Sequence, residues 1–242
     1  MGALPLSCGY YVRMRESIEK YVSAPRFGRY MDSCGGDFGK ALALYEANMR
    51  LSGAAMEAIN IVEVTLRNAM DEQLRSWNRD RINNEEWTTL PAAHLANVIN
   101  QGKNLPKARE KAEKALAGKR SPVHDDVVAQ LSFGTWFFML PSSGDDRDSK
   151  KRIWDSSLKD AFPMRHNVPV SKIKESIGII YDLRNRVAHF EPIYSLHLEG
   201  KRSSMAKILH VIDRPIKKWF SETERFTSEV ERFRAEWPEL TK

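Results

Sequence analysis

The chain has 242 residues, 42% hydrophobic and 29% charged, with six tryptophans. That is long and apolar enough to bury a core, and it excludes collagen, coiled-coil and wholesale disordered chains. Lys and Arg outnumber Asp and Glu by 38 to 32, a net charge of +6, which permits a polyanionic partner without requiring one.

The opening stretch, MGALPLSCGYYVRMR, has no apolar core of signal-peptide length and lacks the hydroxyl residue of a myristoylation signal. Helical periodicity then dominates, with a first helix predicted around Tyr10 to Val22. A loop holding Pro25, Gly28, Gly35 and Gly36 follows. Asp37 is a good N-cap for the next helix, and Ser52-Gly53 is a point where that helix breaks or bends. A long helical pattern runs from Ala54 to about Trp77, then a loop with Asn83, Asn84 and Pro91, then short helical pieces to Gly118. Residues 103 to 120 are basic, and Lys107, Lys111 and Lys114 belong either to a solvated helix face or to a surface that tracks phosphates.

Ser121 before Pro122 reads as an N-cap followed by proline at the first helical position, leading into a buried aromatic segment. The apolar run from Trp136 to Leu140 is far too short to cross a membrane. Pro141 and PSSGDDRDSK mark a surface loop, in which Asp145, Asp146 and Asp148 read as solvated charge. Further helices are predicted at Lys150 to Lys159, Ser171 to Ala188, Lys201 to Lys217 and Glu222 to Trp237. Sustained period-two alternation and hairpin dipeptides are lacking, so the expected fold class is all-α in one domain over 1–242. Cys8 and Cys34 are too few for a disulfide framework, and neither has a partner at metal-ligand spacing; reduced thiols and a cytoplasmic setting are expected, with no membrane partner.

The most informative stretch is SKIKESIGIIYDLRNRVAHFEP, residues 171 to 192. Ser171 is a candidate N-cap, and Ile173, Ile177, Ile180, Val187 and Ala188 make an apolar stripe. Arg184 falls inside that stripe, where a guanidinium needs a partner or a cleft. Pro192 disfavours helix at Glu191, so the helix should stop near His189, at the negative end of its dipole. Asn185 shares a face with His189, whereas Arg184 lies about 140° round the helix and must bend to reach it. A permanent cation, an amide and an imidazole suit phosphate chemistry: in RNA cleavage the 2′-hydroxyl is the nucleophile, and the protein supplies proton transfer and charge stabilisation. The alternative is structural, a buried Arg paired to a carboxylate with a helix-ending His.

A second unusual position is Glu63, inside the stripe of Met56, Ile59, Leu66 and Met70. A carboxylate there should be paired, with Arg67, Arg184 or Arg186 as partners. Either it is a structural ion pair, or Glu63 and Asn68 hold the helix of Arg184 in position; the two are compatible.

The string LRNRVAHFEPIY, preceded by HDDVVAQLSFGTWFFML and INIVEVTLRNAM, resembles the Abi-like proteins of bacterial abortive infection, within the HEPN superfamily. The blocks span roughly residues 38 to 195. The resemblance implies a HEPN-type helical bundle with additional helices: residues 1–36 an N-terminal extension, 37–218 the core and 219–242 a C-terminal helix. It implies a homodimer whose facing motifs form a metal-independent, cofactor-free endoribonuclease site acting on RNA as toxin or phage-defence effector, with a protein or RNA antitoxin as a candidate partner. Arg184 and His189 would be catalytic, Asn185 would orient them, and Glu63, Arg67 and Asn68 would support them. Phe190 stands where the family string has a second His. The rival expectations are a non-catalytic RNA-binding or RNA-sensing module and a helical interaction subunit with a structural Arg184.

Overall fold

In the computed structural model, which describes residues 8–99, 103–142 and 149–240, every regular element is helical. The organising element begins at Asp37, whose extended backbone and carboxylate, accepting the Lys40 N–H at 3.0 Å, cap helix α3 (Phe38–Ile82). Its 45 residues make a rod of about 68 Å. Leu44, Leu51, Ala55, Ile59, Val62, Leu66, Met70 and Leu74 are all buried along it at helical spacing. Ser52 and Gly53 do not interrupt it: Leu51, Ala54 and Ala55 are buried on either side, and packing carries the helix through residues of poor propensity. Asn83, left-handed at φ 54°, ends it.

Helix α1 (Cys8–Ile18) runs through a wide turn at Glu19–Ser23 into α2 (Ala24–Ser33). The sequence reading assigns this second stretch to a loop, and the structure corrects it. Pro25 sits in the first helical turn, where proline is tolerated, and Phe27 and Tyr30 are buried against α3. The Tyr30 and Tyr45 rings meet at 5.1 Å. Gly35 and Gly36, at φ 61° and 83°, then close α2 with paired turn bonds: Gly36 N–H to Met31 O at 2.9 Å and Gly35 N–H to Asp32 O at 3.3 Å.

The middle of the chain is built from short helices: α4 (Ala93–Ile99), α5 (Asn104–Leu116), α6 (His124–Ala129), α7 (Phe133–Met139) and α8 (Ser149–Ser156). Helix α6 starts after Val123, not at Ser121, because the Asp126 carboxylate accepts the Val123 N–H at 2.9 Å and is itself gripped by Arg120. Helices α5 and α6 pack on each other, and α4 packs on α8.

Helix α9 (Val170–Ala188) lies against α3, α7 and α10 (Leu198–Ile212). Pro169 precedes it, so Ser171 is within the first turn and does not cap it. Asp213 accepts the Ile216 N–H at 2.7 Å and restarts the chain as α11 (Arg214–Thr223), so the expected helix at Lys201 to Lys217 is two helices with a cap between them. Residue 218 therefore falls inside α11, and the closing helix α12 (Phe226–Glu236) packs on α3. No described helix is long and apolar enough to cross a membrane.

Candidate functional site

The apolar face of α9, Ile173, Ile177, Ile180, Leu183 and Val187, is buried and fixes the rotation of the helix. Its end is built as the sequence predicts. His189 is the C-cap residue, and its N–H bonds to the Asn185 carbonyl at 2.9 Å. Phe190 N–H then bonds to Val187 O at 3.0 Å and Glu191 N–H to Arg186 O at 2.8 Å, the same paired closure that ends α2. The difference is the left-handed residue: Gly35 there, Phe190 here, at φ 56° and 73% exposed. A bulky side chain in that conformation, pointing into water, gains little for the fold.

The chain leaving α9 is tied down at once. Asn48, on α3 and only 5% exposed, accepts the N–H groups of Ile193 at 2.8 Å and Tyr194 at 3.2 Å with one carbonyl oxygen. The Tyr194 hydroxyl meets Ser33 Oγ at 2.8 Å, and its ring lies 5.5 Å from that of Tyr30. The segment after His189 is thus clamped between α2 and α3. Sequence reasoning missed Asn48, whose significance lies in a contact 145 residues away.

Arg184 faces α3, its Nε 4.0 Å from Glu63 Oε2, with side-chain exposures of 35% and 23%. The expected pairing of Glu63 is therefore with Arg184, but it is long and only half-buried. Burial pushes the Glu63 carboxyl above its ordinary range, and Arg184 and then Arg67 pull it back only in part. Arg67 Nε donates to Asn68 Oδ1 at 3.2 Å, so Arg67 and Asn68 join the Glu63 neighbourhood on α3. The pairs Glu63–Arg184 and Asn48–Ile193 show that α3 and α9 run antiparallel here.

His189 opens on the other side, into a groove of about 520 Å³ shared with Ser23, Pro25, Arg26, Arg29, Phe190, Glu191 and Pro192. The guanidinium of Arg26 lies 6.0 Å from the centre of the Phe190 ring. Neither Arg26 nor Arg29 forms an ion pair among the described residues, and the one carboxylate of the groove, Glu191, is 3.6 Å from Arg186. Within one protomer Arg184 thus turns to α3 and His189 to α2.

The basic helix α5 is elsewhere. It packs mainly on α6, and Arg109 anchors it by donating to the Thr88 carbonyl at 2.8 Å. Lys107 and Lys111 are exposed, and Lys114 is paired to Glu110 at 2.6 Å. The structure does not bring these lysines to α9 in the packing of the helices.

One group of potential metal ligands occurs among the described residues: Asp71, His124 and Asp125. Its interior is already served. Asp71 Oδ1 meets Trp87 Nε1 at 2.8 Å and His124 Nε2 at 3.0 Å, while the Thr88 hydroxyl meets His124 Nδ1 at 3.0 Å. The Arg75 guanidinium stands 2.9 Å from Asp125 and 3.8 Å from Asp71, in the place a cation would take. With Thr88 and His124 buried, the constellation ties α3, the loop after it and α6 together. Asp145, Asp146 and Asp148 lie outside the described residues.

Fold and site together define an all-helical protein that ends one core helix in an Arg-Asn-…-His motif beside a basic groove. The chain belongs to the Abi-like protein family, whose match covers residues 6–195 and so takes in α1 and α2 as well as the three sequence blocks. Neither a curated protein nor a solved structure matches it.

Proposed function

We propose that this chain is a metal-independent endoribonuclease of the HEPN type, acting on RNA in abortive infection or phage defence. The observation that carries the reading is the end of α9: His189 is exposed at a rigidly held helix terminus, in a groove whose Arg26 and Arg29 have no carboxylate partner among the described residues. Membership of the Abi-like family supports the defence role.

In this mechanism the 2′-hydroxyl of the substrate attacks the adjacent phosphorus, and the 5′-oxygen of the next nucleotide leaves. His189 moves the protons, and Arg184 stabilises the charge on the pentacoordinate phosphorus. The products are a 2′,3′-cyclic phosphate and a 5′-hydroxyl. Because Arg184 and His189 face different neighbours in one protomer, a homodimer that apposes two α9 ends completes the site. Asn185 orients the pair, and Glu63, Arg67 and Asn68 hold Arg184. Lys107, Lys111 and Lys114 form a peripheral surface that tracks the RNA backbone. A cytoplasmic location and restraint by a protein or RNA antitoxin complete the proposal.

The test is incubation of wild type and His189→Ala with total RNA in EDTA, with the product ends mapped. Wild type should leave cyclic-phosphate ends, and His189→Ala should cut about 10²–10⁴-fold more slowly. Arg184→Ala should weaken binding and cleavage together, and Arg184→Lys should rescue only in part, because an ammonium lacks the planar fork that grips two phosphate oxygens. Equal cleavage by wild type and His189→Ala refutes the assignment. RNA binding without cleavage by wild type would make the chain a non-catalytic RNA-binding module.

A further inference from the structure

We propose that the groove between α2 and the exit of α9 is a binding subsite for single-stranded RNA, in which Phe190 stacks on an unpaired base and Arg26 and Arg29 hold the flanking phosphates. The inference rests on the ribonuclease reading for the identity of the polymer as RNA, and it adds the substrate form and the residues that select it.

Three observations carry it. The first is Phe190 itself. The turn that ends α9 needs one left-handed residue, and α2 uses glycine for the equivalent turn. Phe190 takes that conformation against its own steric preference and then leaves 73% of its surface in water. Packing within one protomer, where the Arg26 guanidinium lies 6.0 Å from the ring centre, does not account for it. An exposed aromatic ring held on a rigid turn is what a stacking platform requires, because every base offers a π-face.

The second is charge. Arg26 and Arg29 stand one turn apart on α2 and line the groove beside the ring. Neither forms an ion pair among the described residues, and the groove's one carboxylate, Glu191, is turned to Arg186, so their field is kept for an incoming anion. Phosphates flank every base of a nucleic acid, so a ring between cations matches the repeat of the polymer. The third is position. His189 lines the same groove, so a base held on Phe190 places its adjacent phosphodiester at the residue that moves the protons. In a duplex both faces of each base are covered by its neighbours, and the ring has nothing to stack on; the groove therefore selects unpaired segments.

Fluorescence anisotropy tests this with a 2′-O-methyl oligonucleotide, which cannot be cut by 2′-hydroxyl attack, offered single-stranded and as a duplex. Wild type should bind the single strand more tightly than the duplex. Phe190→Ala should lose about 5- to 150-fold in affinity for the single strand, and Phe190→Tyr should retain it. Phe190→Gly, which fits the left-handed turn, should lose as much as Phe190→Ala and so guards against a folding artefact. Arg26→Ala with Arg29→Ala should flatten the dependence of log affinity on log salt by about 1.4. Equal affinity of wild type and Phe190→Ala, equal binding of duplex and single strand, no binding of the single strand, or displacement by polyglutamate as effective as by RNA would each overturn the proposal. If the single strand binds with this mutational pattern while unmodified RNA stays intact, the ribonuclease reading fails and the subsite stands. If RNA is cut while these variants bind as wild type does, the subsite fails and the ribonuclease reading stands.

Discussion

Replacing Asn48 by alanine, a change outside the site's own residues, should unfasten the segment that follows His189. One Asn48 oxygen accepts the N–H groups of Ile193 and Tyr194, in surroundings where Ile193 is fully buried and Tyr194 is 8% exposed. Leaving a buried donor unpaired costs about 1–3 kcal/mol. Two donors share the one acceptor, and local relaxation recovers part of the loss, so Asn48→Ala should destabilise by about 2–4 kcal/mol. Asn48→Asp keeps an acceptor for both groups and should recover part of that. Urea denaturation at neutral pH measures the difference, with an unchanged m-value confirming that the same surface is exposed on unfolding. RNA cleavage by Asn48→Ala should fall even where the protein remains folded, because the turn carrying His189 and Phe190 loses its clamp. A stability loss below about 0.5 kcal/mol, the range of ordinary surface substitutions, would show that these N–H groups are not held by α3 and would refute the clamp.

Phe190→Gly should be more stable than Phe190→Ala by about 1 kcal/mol in the same denaturation assay, since both remove the ring and only alanine retains the left-handed penalty; an alanine variant of equal or greater stability would contradict the φ of 56°. For Glu63, burial raises the folded pKa above the unfolded one, so the stability its protonated form confers is lost as pH rises from the unfolded to the folded value and is not regained above it. Glu63→Gln should therefore gain on wild type in denaturation midpoint between pH 4 and pH 7, and a relative loss on that change would mean that the Arg184 pair outweighs burial. Asp71→Ala should cost about 2–4 kcal/mol by orphaning the Trp87 indole N–H and His124, seen as a lowered urea midpoint, with Asp71→Asn costing less.

The parts of the fold legible in the sequence are those with a local cause. Pro192 and the apolar period of residues 173 to 187 end α9 at His189, and a carboxylate within an apolar stripe marks Glu63 as needing a cation, which proves to be Arg184. The rest depends on contacts distant in sequence. Proline and glycine disguise α2 as a loop, and only the burial of Phe27 and Tyr30 against α3 makes it a helix. The same disguise hides Arg26 and Arg29, so the basic stretch at 103 to 120 draws attention that the groove deserves equally. A buried asparagine in the middle of a helix leaves no periodic mark at all, which is why Asn48 is invisible until Ile193 is seen beside it.

The unbroken length of α3 bears on where this chain tolerates insertion and deletion. Asn48 and Glu63, its two holds on α9, are separated by about 22 Å and about 60° of rotation along one rigid rod. A single residue gained or lost between them, near the exposed Gly53 for instance, turns one hold by about 100° relative to the other. Arg184 and the Ile193 amide then cannot both be met, and no flexible joint lies between to absorb the error. Length changes in the loop after Ile82 leave that spacing untouched, so natural variation in chain length is expected there and excluded from residues 48 to 63.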